Sequence, residues 1–184
     1  MSFSDLFRKK EKLPRKTEAE LRLHRCALTG HRPERIRGME VEIIAGLRKE
    51  ILAAIEDGYT TFITGCSRGV DLWAASIVLE LRRTNKSLRL ICAVPFEGFE
   101  SRWPADWIKH YRAVRKQADW VEIICPSYSP DAYQKRNMWM CNRSTRLIAV
   151  WDGLPSGTKN TVDYATDKGI PVAVIPIPLS AQAD

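Results

Sequence analysis

Six short apolar runs punctuate residues 25–175: Arg25–Thr29, Thr60–Thr64, Leu88–Val94, Trp120–Cys125, Arg146–Trp151 and Pro171–Ile175. Most are apolar almost throughout rather than alternating, the pattern of strands buried on both faces. Stretches of helical periodicity separate the runs, so strand and helix alternate along the chain. That order predicts an α/β class and one doubly wound domain with a mainly parallel sheet covered on both sides. Its crossovers are expected to be right-handed.

The helical stretches differ in strength. Residues 38–57 show Val41, Ile44, Leu47, Ile51 and Ile55 on one face, with Gly58 placed to end the helix. After Gly69, the residues Val70, Trp73, Ala74, Ile77, Val78 and Leu81 recur at helical spacing. Pro104 suits a first helical turn, followed by Trp107, Ile108, Tyr111 and Val114. Residues 133–144 are polar, aromatic and compatible with a helix. Residues 161–168 form a short helix ended by Gly169. Residues 1–23 are expected to be a basic tail, crowded with Arg8, Lys9, Lys10, Lys12, Arg15 and Lys16, with a short helix through Thr17–Leu21. Residues 24–184 then make up the domain.

Three glycine-bearing turns follow strands. The first is Gly30-His31-Arg32-Pro33, the second runs from Thr64 to Asp71, and the third from Asp152 to Thr158. All leave the carboxyl ends of strands, where ligands of open α/β sheets bind, so they are expected to line one rim. In the second turn Gly65 and Gly69 allow close backbone approach and Arg68 brings a fork of donors. Gly157 and Thr158 open the last helix, whose free amides suit a phosphate or simply an N-cap. Arg136 is the strongest single candidate, able to grip a phosphate with two hydrogen bonds, with a surface arginine as the plain alternative. Asn137 suits reading a ribose or base edge, or capping a turn. His31 and Arg32 face the ligand if the rim is real, although a structural role is equally open to His31. Asp152 is divided between ribose binding and local turn bonding. Asp71 is first of all a favourable charge in a first helical turn. Trp103, Trp139, Tyr128 and Tyr133 lie in or near polar segments and are candidates for stacking on a base.

Composition narrows the classes. No apolar run approaches the roughly 20 residues of a membrane span, and the start lacks a secretory pattern, so no membrane partner and a cytoplasmic location are expected. Five cysteines without a C-x-x-C pair fit a reducing compartment; with three scattered histidines they suggest no metal site. Cys66, in a loop beside Arg68, is the cysteine whose thiolate that neighbour would favour. A net charge of +7 favours anionic partners without choosing among them.

Three signatures stand in order: Thr29-Gly30-His31-Arg32-Pro33; Gly65 with Arg68-Gly69-Val70-Asp71-Leu72-Trp73-Ala74-Ala75; and Arg136-Asn137 followed by Leu147 to Gly153, Ser156-Gly157-Thr158 and Thr161-Val162. The set resembles the YpsA-like branch of the SLOG superfamily across about residues 25–175. That resemblance implies a Rossmann-like domain and a nucleotide-derived ligand. The DprA family is similar in Arg68-Gly69-Val70-Asp71, where its pattern is R-G-I-D, and binds single-stranded DNA. The LOG phosphoribohydrolases are similar at Arg136 to Met140 and at the turn ending on Thr161, where their G-G-x-G-T-x-x-E pattern carries a catalytic glutamate. A threonine hydroxyl cannot replace that carboxylate in acid–base work.

The function expected from the sequence is therefore a binding or sensing module for a nucleotide or nucleotide-derived ligand such as ADP-ribose or NAD, requiring no cofactor. Its phosphate would be held by Gly30, Gly65, Gly69, Gly157 and Thr158, with charge from Arg136, Arg32 and Arg68. A nucleotide N-glycosidase, with Asp152 as a stand-in carboxylate, and a single-stranded nucleic-acid binder are the alternatives. The resemblance also implies a homodimer.

Overall fold

The computed structural model describes residues 16–177. Six strands form one sheet: β1 (Arg25–Gly30), β2 (Thr61–Thr64), β3 (Arg89–Val94), β4 (Trp120–Ile123), β5 (Arg146–Trp151) and β6 (Val172–Pro176). Their spatial order is β4-β3-β2-β1-β5-β6 and every neighbouring pair is parallel. The chain builds outward from β1 to β4, then returns to place β5 on the other side of β1. The switch point of the sheet thus lies between β1 and β5, where Gly30 is in register with Val150.

Among the described residues six α-helices accompany the strands: α1 (Glu18–Arg22), α2 (Glu40–Glu56), α3 (Val70–Leu81), α4 (Ala105–Gln117), α5 (Ala132–Asn142) and α6 (Gly157–Asp167). One core unites Leu47, Ile51, Val78 and Tyr111 of α2, α3 and α4 with Leu28, Phe62 and Ile148 of the sheet. On the opposite face Met140 of α5 and Val162 and Ala165 of α6 pack against Ala27, Ile63 and Ala149. Among the described residues no helix is long and apolar enough to cross a membrane.

One helix departs from the sequence reading in its facing. In α2 the buried face is Ile43, Leu47, Ile51 and Ala54, while Val41 is 77% exposed. At about 100° per residue, Val41 lies some 120° around the helix from Leu47, outside the contact stripe. Of the two starts read for the last helix, the structure has Gly157, as the glycine turn suggested, and not Thr161, because Ser156 caps it by accepting the Lys159 amide at 3.1 Å.

The basic run Arg8–Lys10 lies outside the described residues. The adjoining α1 carries a Thr17/Glu20 capping box and is tied to the body. Its Glu18 meets Arg25 at 2.6 Å, and Arg22 donates to the Ser144 carbonyl at 3.0 Å.

The facing of α2 gives a direct test. Ile43→Ala is expected to cost about 2–4 kcal/mol in denaturant unfolding, as a buried large-to-small change, whereas Val41→Ala should stay within about 0.5 kcal/mol. Equal losses at the two positions would contradict this packing.

Candidate functional site

The three turns converge. A cavity of about 360 Å³ opens at the carboxyl rim beside the switch point. The end of β1 and the segment after it supply Thr29 to Arg32 with Glu34 and Arg35; the β2–α3 turn supplies Ser67 and the first turn of α3 supplies Asp71. Tyr133, Arg136 and Asn137 come from α5, and Ser156, Gly157 and Thr158 from the start of α6. Gly65, Arg68, Gly69 and Asp152 stand behind this wall or beside it.

Arg136 is buried although charged, only 5% exposed. Its guanidinium donates to the Gly65 carbonyl and to Ser67 Oγ at 3.4 Å, and lies 3.7 Å from Asp71. A Cβ at Gly65 would collide with that guanidinium, which explains the glycine. Both terminal nitrogens of Arg136 therefore face the β2–α3 turn, and the fork pictured on a phosphate is turned onto protein. Asp71 Oδ2 accepts the Ser67 amide at 3.1 Å. Its Oδ1 and Arg136 Nε are buried without a hydrogen-bond partner. Burial pushes the Asp71 carboxyl up to about 6, against the opposing pull of Arg136. The solvent-side helix charge suggested by the sequence is instead an interior ionisable group.

Other glycines hold the first two turns together. A Cβ on Gly30 would lie 2.5 Å from Val70 Cγ1. Gly69 has φ of 86°, and its Cβ would come within 2.8 Å of the His31 carbonyl. The Val70 amide donates to that same carbonyl at 3.4 Å. Between them Cys66 adopts φ of 59°, a strained conformation for a side-chain-bearing residue, supported by its amide on Thr64 Oγ1 at 3.2 Å. Burial raises the Cys66 thiol well above its usual range, so the activation pictured beside Arg68 does not arise.

A second buried network forms the opposite side. His31 Nε2 lies 3.1 Å from Asp152 Oδ1, and Arg35 Nε donates to Asp152 Oδ2 at 2.5 Å. The Leu154 amide also reaches Asp152, at 3.0 Å. Local turn bonding and two side-chain partners thus occupy Asp152. Burial lowers the His31 pKa while Asp152 raises it, and burial prevails, so the ring is neutral at pH 7. Thr158 Oγ1 stands 3.4 Å from its Nδ1. Arg35 was missed in the sequence, although it completes a tight Arg32-Pro33-Glu34-Arg35 cluster. Ser67 and Ser156 were also passed over as cavity residues; only their positions inside the glycine turns hinted at them.

Gly157 differs from the other site glycines. A Cβ there would meet open space, so the amino end of α6 is uncovered toward the cavity. Its first amides have no intrahelical partners. Arg32 is exposed, 5.7 Å above the Tyr133 ring. Arg68 pairs with Glu34 at 2.5 Å and covers Trp103 at 6.0 Å, outside the cavity. Trp103 packs edge-on against Phe99, and Trp139 against Trp120, so neither is a cavity stacking surface. Tyr128 is 67% exposed beside Phe96. Thr161 is fully buried, its hydroxyl on the Gly157 carbonyl at 3.0 Å. Among the described residues no group of three His, Cys, Asp or Glu could hold a metal ion.

Two outcomes follow from this geometry. Gly65→Ala should destabilise the wild type by more than it destabilises an Arg136→Ala background, with a coupling of about 1–3 kcal/mol; strict additivity would separate the two residues. The native state holds the Asp71 proton more tightly than the unfolded chain, so this group's contribution to stability declines as pH rises from about 4 to 6. The stability difference between wild type and Asp71→Asn should therefore vary with pH across that window, with a slope of at most about 1.4 kcal/mol per pH unit. A flat difference would place the Asp71 titration elsewhere.

The chain is similar to known proteins at two levels. Residues 26–170 match the YspA SLOG family. A UPF0398 protein of Bacillus thuringiensis (strain Al Hakam) is 32% identical over 153 residues, covering 78% of this chain and 83% of its own. A UPF0398 protein of Bacillus cereus (strain AH187) matches with the same identity and coverage. Among solved structures, DNA processing protein A (DprA) of Streptococcus pneumoniae superposes with a TM-score of 0.58 at 17% identity, over 86% of this chain. The match spans about half of that longer protein, 52%. DprA of Helicobacter pylori, described for its single-stranded DNA binding mode, gives 0.57 at 19% identity, covering 88% of this chain and 69% of its own. These likenesses establish a shared Rossmann-like fold, and by its sequence the chain belongs to the YspA SLOG family.

Proposed function

We propose that the protein is a binding or sensing module for a nucleotide or nucleotide-derived ligand, of the ADP-ribose or NAD kind, held in the rim cavity. The observation that carries this reading is the uncovered amino end of α6. Gly157 faces open space, Thr158 stands beside it, and the helix dipole with the amides ahead of the capped Lys159 favours an anion. The exposed Arg32 adds positive charge at the same opening. Tyr133 lies next to Arg32 and offers a ring face or edge to the rest of the ligand.

Thr161 supports binding over hydrolysis, since no carboxylate occupies the position of the LOG glutamate. One observation favours nucleic acid as a second reading. The Helicobacter pylori protein of the same fold binds single-stranded DNA, and the exposed Tyr128 would suit stacking on a base.

Calorimetric titration with ADP-ribose separates these readings. The wild type should bind, and Gly157→Val should weaken binding at least tenfold, because its side chain fills space before α6 without touching the protein. Arg32→Ala should weaken it about three- to tenfold, the effect of an exposed, partly screened charge. Unchanged affinity in a folded Gly157→Val variant would remove α6 from the site. Binding of single-stranded DNA alone, falling steeply with salt, would put the nucleic-acid reading first.

A further inference from the structure

We infer that the cavity selects a ribose phosphate with a free sugar hydroxyl, and that Asp71 and Arg136 are the groups that recognise the hydroxyl. This rests on the nucleotide reading and adds the chemistry of the ligand's second contact.

Asp71 is 4% exposed and its carboxylate is fixed, because Oδ2 is held by the Ser67 amide. That leaves Oδ1 as an acceptor with no partner, on a residue that lines the cavity. Arg136, also lining the cavity, has its terminal nitrogens on Gly65 and Ser67 and its Nε unpartnered. Buried polar groups are rarely left this way, and here one ion pair carries both an orphan acceptor and an orphan donor.

The complement of such a pair is a neutral group that donates and accepts together. A phosphate oxygen would meet the Asp71 carboxylate unfavourably. An ammonium would meet the Arg136 guanidinium. A sugar hydroxyl can give its proton to Oδ1 and accept one from a guanidinium N–H beside it. The anion site lies elsewhere on the rim, since α3 follows β2 and α6 follows β5, with β1 between them. Strands are about 4.8 Å apart, so inorganic phosphate on α6 does not extend to Asp71, whereas a phosphorylated sugar does. An internal deoxynucleotide of single-stranded DNA has neither a 2′ nor a free 3′ hydroxyl to offer. The same geometry that accepts a ribonucleotide therefore disfavours DNA.

The experiment is a titration of the wild-type protein with AMP, 2′-deoxy-AMP, 3′-deoxy-AMP, 2′,3′-dideoxy-AMP, ribose 5-phosphate and inorganic phosphate. AMP is expected to bind at least tenfold more tightly than the dideoxy nucleotide, and the two monodeoxy compounds identify which hydroxyl is read. In Asp71→Asn the Ser67 amide keeps the amide oxygen in the Oδ2 position and places a donor where Oδ1 stood. That variant should lose most of the preference for AMP over dideoxy-AMP, because the hydroxyl proton no longer finds its acceptor. Equal affinities of wild type for AMP and dideoxy-AMP would overturn the inference while leaving the nucleotide site standing. Failure of every probe, with ADP-ribose also silent, would overturn both. Should Asp71→Asn not fold, the wild-type series alone decides.

Discussion

A buried guanidinium organises this rim. Arg136 rises from α5 on one face of the sheet and places its head on the turn that leads to α3 on the other. A charge in that position is tolerable only with a counter-charge and hydrogen bonds around it. Asp71 is the counter-charge, the Gly65 carbonyl and Ser67 hydroxyl are the hydrogen-bonding partners, and the absent side chain of Gly65 is the space. Four residues spread over seventy positions of sequence are thus one structural unit. Removing any one of them leaves the others in a worse state than before, which is why their roles do not separate into binding and folding.

The neighbouring turns obey the same economy. Gly30 is small because Val70 lies on it, and Gly69 takes a left-handed conformation against the His31 carbonyl. These contacts clamp the end of β1 to the start of α3. On the far side His31 and Arg35 converge on Asp152, so the segment after β1 is braced from both directions. With so many groups committed to one another, little of the rim is free to receive anything. The exceptions are the amino end of α6, the exposed Arg32, and the orphan atoms of the Asp71–Arg136 pair.

Strand positions and the convergence of the three turns were legible in the sequence, because apolar runs and glycine punctuation are local signals. Arg146–Trp151, for example, is bounded as its composition suggests. What the sequence withheld depends on neighbours. The pattern of α2 is apolar enough to admit two faces, and only its contact with the sheet selects Ile43 over Val41. A glycine that faces open space and a glycine that makes room for a side chain are spelled alike, so Gly157 and Gly65 were indistinguishable. Asp71 sits where a surface helix would welcome a carboxylate, and the Arg136 head that meets it comes from a distant part of the chain. Arg35 was invisible because its partner, Asp152, is more than a hundred positions away.

The distribution of charge bears on which kind of anion the domain suits. Residues 1–16 hold six basic and two acidic side chains, hence four of the seven excess positive charges. In the described residues many arginines are matched, as in Arg48 with Glu80, Arg82 with Asp119, Arg115 with Glu97 and Arg146 with Asp57. The cavity itself mixes Arg32, Arg35 and Arg136 with Glu34 and Asp71. A groove that tracks a polyanion needs one sign of charge along its length, because each phosphate adds the same demand. A cavity with a positive helix end and a carboxylate within reach of one another suits a ligand that changes character over a few ångströms, anionic at one end and hydroxylated at the other.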